Sequence, residues 1–112
     1  MSRVIAHMVV RDELDRWLVP CLERLTKQFD VVTVYDDGST DGTPGVAADM
    51  GCVVGARPDD VEPFLVHESR LRQAAWLWAI RAADLSPGDI IAVIDADEAF
   101  AGADPVAALR HE

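Results

Sequence analysis

The apolar run Ile90-Ile91-Ala92-Val93-Ile94 stops abruptly at Asp95, with Asp97 and Glu98 close behind, and few folds accommodate such a run. Short, continuous and rich in β-branched residues, it reads as a strand buried on both faces, as in a parallel sheet covered by helices. In such sheets ligands bind just beyond the carboxyl ends of the strands, where Asp95 and Asp97 stand. Side chains at i and i+2 of a strand share a face, roughly 6–7 Å apart. Two acids at that spacing can share one hard cation or a cation-bound phosphate.

The rest of the chain alternates in the same idiom. Val4 to Val10 is apolar apart from His7 and ends at Arg11-Asp12-Glu13, so it reads as a first buried strand. His7 is expected to be a hydrogen-bonded core histidine, because no acid or cysteine is spaced to join it as a ligand. Leu14, Trp17, Leu18, Cys21, Leu22 and Leu25 recur at helical spacing. Pro20 suits a first turn, which predicts a short turn over residues 13–18 and a main helix from Pro20 to Gln28. Val31 to Tyr35 is the second strand, closing on Asp36-Asp37-Gly38-Ser39-Thr40-Asp41-Gly42. Thr43 as N-cap, Pro44 in the first turn and Gly51 past the end punctuate a second helix. Cys52 to Arg57 is a short third strand, and Pro58 to Pro63, with Asp59, Asp60 and Glu62, a mobile polar loop. A long helix follows from Phe64 or Val66 to Ala83. Its buried stripe is expected at Leu71, Ala74, Ala75, Trp78 and Ala82, with Arg70, Arg72 and Arg81 off the stripe. Ser86-Pro87-Gly88 turns into the acid-tipped strand, and Asp104-Pro105 opens one more helix. This alternation predicts an α/β sandwich with a parallel sheet and right-handed crossovers.

A length of 112 residues predicts a single domain spanning 1–112. The net charge of −10 argues against nucleic-acid or anionic-membrane binding, which rest on basic patches. Anionic ligands remain open to it where a metal ion or local arginines supply positive charge. Cys21 and Cys52 read as small buried hydrophobes rather than a disulfide or metal pair. With no signal-peptide pattern and no apolar stretch of transmembrane length, a soluble cytoplasmic protein is expected.

Two strands, the second and the fourth, end in acid clusters, and a parallel sheet brings strand ends to one edge. Carboxylates gathered there repel one another unless a cation or hydrogen-bond donors compensate. A divalent metal and a nucleotide together supply both. The plainer alternative is that these aspartates turn corners, Asp36 or Asp37 in an Asx turn and Asp95 as a strand terminator. In the functional reading, Asp36 or Asp37 accepts from the imide N–H of a uracil or from the edge of another base. Asp95 accepts from a ribose hydroxyl, and Asp97 ligates Mn²⁺ or Mg²⁺, both of which prefer oxygen donors. Arg72, and less readily Arg70, can reach the same edge to clamp a phosphate. Trp76 lies close to the buried stripe and is expected in the core or an interface.

Four pieces in order, Met8-Val9-Val10-Arg11-Asp12-Glu13, Val34 through the DDGSTDGT stretch to Thr43, Ser69-Arg70-Leu71-Arg72-Gln73-Ala74-Ala75, and Val93-Ile94-Asp95-Ala96-Asp97-Glu98, resemble the family 2 glycosyltransferases of the GT-A fold. The DDGSTDGT and DADE stretches match that family's nucleotide-binding loop and its DxD-type metal motif. The resemblance covers essentially the whole chain and the N-terminal, nucleotide-binding half of the family. It implies a Rossmann-like GT-A three-layer sandwich with a mainly parallel sheet of order 3-2-1-4. It also implies a UDP- or GDP-linked sugar donor, a divalent metal, and inverting transfer to an acceptor. On these positions it places Asp36 or Asp37 at the base, Asp95 near the ribose, Asp97 on the metal, Val9 where the backbone passes the nucleotide, and Arg72 where members often carry arginine. Asp12 stands where the family usually has Asn. The acceptor half and the catalytic base are not matched by this stretch, so a nucleotide-binding or regulatory module that pairs with another chain is the alternative. In the implied strand order Ile90–Ile94 lies at a sheet edge, which predicts a homodimer or second polypeptide along it.

Phosphoryl chemistry also uses acid-tipped strands. A receiver domain, however, places its acid pair after the first strand and a lysine late in the chain, and here Lys27 is early. A DxD phosphatase carries that motif near its beginning, and a dinucleotide fold carries G-x-G-x-x-G where Arg11-Asp12-Glu13 stands.

Overall fold

A computed structural model describes residues 3–14, 18–58, 63 and 68–94. Strands and helices alternate as β1 (Val4–Val10), α1 (Leu18–Gln28), β2 (Val31–Asp36), α2 (Thr43–Asp49), β3 (Val53–Ala56), α3 (Glu68–Ala82) and β4 (Ile90–Val93). The four strands form one parallel sheet in the order β3-β2-β1-β4. This is the order that the resemblance implies.

Side chains of β1 alternate between two layers, as a strand with both faces covered must. Val4, Ala6, Met8 and Val10 join Leu18, Cys21, Leu22 and Leu25 of α1 and Ala47 of α2 in the larger core. Val9, with Tyr35 of β2, packs on the other side against Leu71, Ala75 and Trp78 of α3. The molecule is therefore layered α1 and α2, sheet, α3. Cys21 and Cys52 are buried and unpaired, as expected. No helix among the described residues is long and apolar enough to cross a membrane.

Local expectations are corrected in four places. Helix α1 begins at Leu18, two residues ahead of Pro20, which sits in the first turn where its missing N–H costs nothing. Helix α2 is capped by Gly42, at φ 86°, rather than by Thr43. The Thr43 hydroxyl is instead bound to Asp41 and accepts from the Glu13 amide. The buried stripe of α3 is Leu71, Ala75 and Ala79, every fourth residue, whereas Ala74, Trp78 and Ala82 are half-buried at its margin. Finally, β4 is not buried on both faces: Ile90 is 38% and Val93 51% exposed, on a strand that among the described residues pairs with β1 alone. The expected turn over 15–17, most of the 58–63 loop, the start of the long helix before Glu68 and the helix at Asp104-Pro105 lie outside the described residues.

The amino end of β4 is pinned by Asp89. Its carboxylate accepts from the Arg3 amide (2.9 Å), the Arg3 guanidinium (2.9 and 3.1 Å) and the Ser86 amide (3.0 Å). The same guanidinium donates to the carbonyls of Ala83 and Asp84 beyond α3. Those bonds, the Arg3 and Ser86 amides foremost, hold the Asp89 pKa down at about 2.

Candidate functional site

Parallel pairing aligns the carboxyl ends of the strands. Val10 pairs with Asp36, and Asp36 with Ala56, while β4 reaches the same edge beside β1, the Ile94 amide donating to the His7 carbonyl at 2.9 Å. The loops after β1 and β2 are laced together there. The Thr40 amide donates to Asp12 (2.7 Å), the Asp12 amide to the Ser39 hydroxyl (2.9 Å), and the Leu14 amide to Asp41 (3.3 Å). Asp12 holds a left-handed backbone at φ 49°, a conformation that Asp and Asn tolerate best after glycine. The Thr43 hydroxyl, the largest influence, holds the Asp41 carboxyl below its usual range. Much of the DDGSTDGT stretch is thus spent on its own architecture.

The same holds for the paired aspartates. Asp36 accepts from the amides of Gly38 (3.2 Å) and Ser39 (3.0 Å) and from the Ser39 hydroxyl, closing an Asx-type turn. Asp37 is 1% exposed and lies between two arginines, with Arg57 Nε at 2.7 Å and Arg11 Nη1 at 3.8 Å. The Arg57 guanidinium also lies over Gly38, where a Cβ would come within 2.9 Å of it. Arg57 was not singled out by the sequence: it stands twenty residues from Asp37, and no local period connects them.

A cleft of about 310 Å³ opens between β1, β4 and α3, lined by His7, Val9, Arg72, Gln73, Trp76 and Val93. It lies at the switch point of the sheet, where the chain leaves β1 for one face and approaches β4 from the other, the usual ligand crevice of an open α/β sheet. The structure therefore places both Val9 and Arg72 in its lining. Asp36 and Asp37 lie outside this lining, and Asp95 and Asp97 fall outside the described residues. Arg72 is ion-paired with Glu68 one turn earlier, at 2.9 Å.

At the cleft floor His7 is 2% exposed, with Nδ1 3.0 Å from the Thr33 hydroxyl. That hydroxyl lies 3.3 Å from the Ala6 carbonyl. Burial pushes the His7 pKa down to about 4, so the ring is neutral at pH 7. Trp76 and Trp78 lie beside it, each with its ring centre 6.4 Å away. The sequence signalled His7 as a core residue; its place in the cleft wall depends on where α3 crosses, which no local pattern reports. Among the described residues no three His, Cys, Asp or Glu side chains gather as a metal site.

A parallel 3-2-1-4 sheet, covered on both faces and cleft at its switch point, defines a Rossmann-like α/β fold. Residues 6–104 match the model of the family described as Glycosyl transferase family 2, and the chain belongs to that family. It is also 38% identical over 99 residues to a TPR repeat-containing protein of Synechococcus elongatus, a match covering 88% of this chain and 21% of that protein. The chain thus spans about a fifth of the length of this curated relative.

Proposed function

We propose that the chain is the donor-binding domain of a glycosyltransferase, taking a UDP- or GDP-linked sugar with Mn²⁺ or Mg²⁺ for inverting transfer to an acceptor. The observation that carries this reading is the switch-point cleft, which unites Val9 and Arg72 on the edge toward which β4 runs. Asp95 and Asp97 follow β4 directly in sequence. Their carboxylates are hard oxygen donors of the kind these cations take, and Asp97, with Asp95, would hold the metal. When bound, the ion would screen the diphosphate and stabilise it as a leaving group. Arg72 supplies a guanidinium to the donor's phosphates, and Val9 offers backbone along the nucleotide. The family match supports transfer chemistry in general terms; nucleotide, metal and stereochemistry are this proposal's own.

An inverting displacement also needs a proton acceptor, which this reading places outside the residues that hold the donor. The exposed Ile90 and Val93 on the edge strand support a second copy or another chain pairing there. Buried, unpaired Cys21 and Cys52 accord with a reducing, cytoplasmic setting.

Calorimetric titration of UDP and GDP with Mn²⁺ tests the proposal. Metal-dependent binding that Asp97→Ala weakens at least tenfold supports it. Absence of binding, or unchanged binding by the variant, refutes it. A donor-hydrolysis assay separates enzyme from regulatory module, the module binding without turnover.

A further inference from the structure

Helix α3 carries apolar side chains on two sides. Leu71, Ala75 and Ala79 are its buried stripe. Leu77 stands two residues from both Ala75 and Ala79, about 200° around the helix, and is 48% exposed. Ala74 and Ile80, one turn to either side of Leu77, are half-buried on the same outer face. Helix α1, by contrast, exposes Glu23 and Lys27, the polar outer face expected of a surface helix.

The charges at the ends of this outer face run against their own helix. Arg70 lies in the described first turn of α3, where a cation meets the positive pole, and Asp84 lies just past Ala82, where an acid meets the negative pole. Both are exposed. An antiparallel second copy reverses that arrangement. A two-fold axis at Leu77 sets Arg70 of each copy opposite Asp84 of the other, seven positions to either side. The same axis sets Ala74 against Ile80 and Gln73 against Arg81, so an apolar centre meets itself and no like charges face. Closed two-fold interfaces require this self-complementarity.

We infer that the outer face of α3 is a homodimer interface, in which two antiparallel copies of the helix pack about Leu77 with Arg70 and Asp84 paired at each end. The surface lies across α3 from the buried stripe, touches the cleft lining only at Gln73, and is distinct from the β4 edge. It goes beyond the donor-site reading and does not rest on it.

Analytical ultracentrifugation of the 112-residue chain tests it. One helix face is at the small end of specific interfaces, so a reversible monomer–dimer equilibrium in the micromolar range is expected. Leu77→Glu should weaken the dimer about tenfold or more while leaving the thermal midpoint of the monomer in place. Arg70→Glu and Asp84→Lys should each weaken self-association, and an equimolar mixture of the two variants should restore it as a mixed dimer, a rescue that a folding defect would not produce. Should Asp84→Lys fold poorly at the left-handed φ of 51°, Leu77→Glu alone keeps the test decisive. A chain that stays monomeric to millimolar concentration overturns the inference. So does a dimer that withstands Leu77→Glu but is abolished by Val93→Lys, which would put the contact on the edge strand. Two folded charge variants that stay monomeric when mixed overturn the antiparallel pairing.

Discussion

Protonation of His7 perturbs the cleft from within, and its energetic consequence can be worked out. The ring is 2% exposed, and burial lowers its pKa from 6.5 to about 4. Between these values the unfolded chain binds a proton that the folded chain refuses, so stability rises with pH across the window. The contribution is complete above pH 6.5 and is lost progressively as the pH falls toward 4. The interval, at about 1.36 kcal/mol per pH unit, gives about 3 kcal/mol, a large share of the roughly 5–15 kcal/mol that holds a domain together. Urea unfolding at steps between about pH 7.5 and pH 4, on wild-type protein and His7→Phe, isolates the histidine because the other groups titrate alike in both. The wild type should lose about 3 kcal/mol more than the variant over that range. Imidazole NMR should show His7 neutral down to about pH 4. Parallel stability curves, or a His7 ring titrating near 6.5, would refute the burial argument.

Four further outcomes follow from the packing. Gly55→Ala would set a Cβ 2.3–2.7 Å from the Trp78 indole, itself 5.6 Å from the Tyr35 ring; thermal unfolding should show a loss of about 1–3 kcal/mol, and Trp78→Ala in the same chain should remove most of the difference. Gly45→Ala, in α2 with nothing within 4 Å, should instead stabilise by about 0.5–1 kcal/mol, and a loss there would contradict the described helix. Asp37→Ala, which removes the buried carboxylate that Arg57 Nε meets at 2.7 Å, should cost about 1–3 kcal/mol by denaturant titration; a wild-type midpoint with only ligand binding lost would mean that Asp37 serves the ligand alone. Asp89→Asn should lower the unfolding midpoint at neutral pH and flatten the acid limb, because a depressed carboxyl stabilises above its unfolded pKa of 3.8 and loses that effect as pH falls toward 2.

The legible part of this chain was the part written in local periods. Alternating β-branched runs and glycine-proline punctuation place the seven elements found among the described residues, and the ordered motifs imply the 3-2-1-4 sheet. Gly51, at φ 92° just beyond α2, ends that helix where the sequence says it should. What stayed hidden depends on distant partners. The apolar run of β4 says nothing of its place at the end of the described sheet, and Thr43 looks like a cap until Asp41 and Glu13 claim its hydroxyl. Asp37 looks like an open acceptor until Arg57 arrives from just beyond β3. His7 was readable as a core histidine, yet its place in the cleft needs α3 laid across the sheet to form a wall. The acid pair Asp95 and Asp97, on which the metal proposal depends, lies beyond the described strand.

The clamp between Arg3 and Asp89 joins residues eighty-six positions apart. β1 meets β2 after one short helix, but among the described elements it meets β4 only after five others have been traversed. Closing so long a loop is entropically slow, so the nearby β1–α1–β2 unit is expected to nucleate and β4 to join it later. The strand that leads into the acid pair would then be delivered late, tying the strand ends beside β1 to the slowest closure in the sheet. Stopped-flow refolding should accordingly find Asp89→Asn speeding unfolding far more than it slows folding.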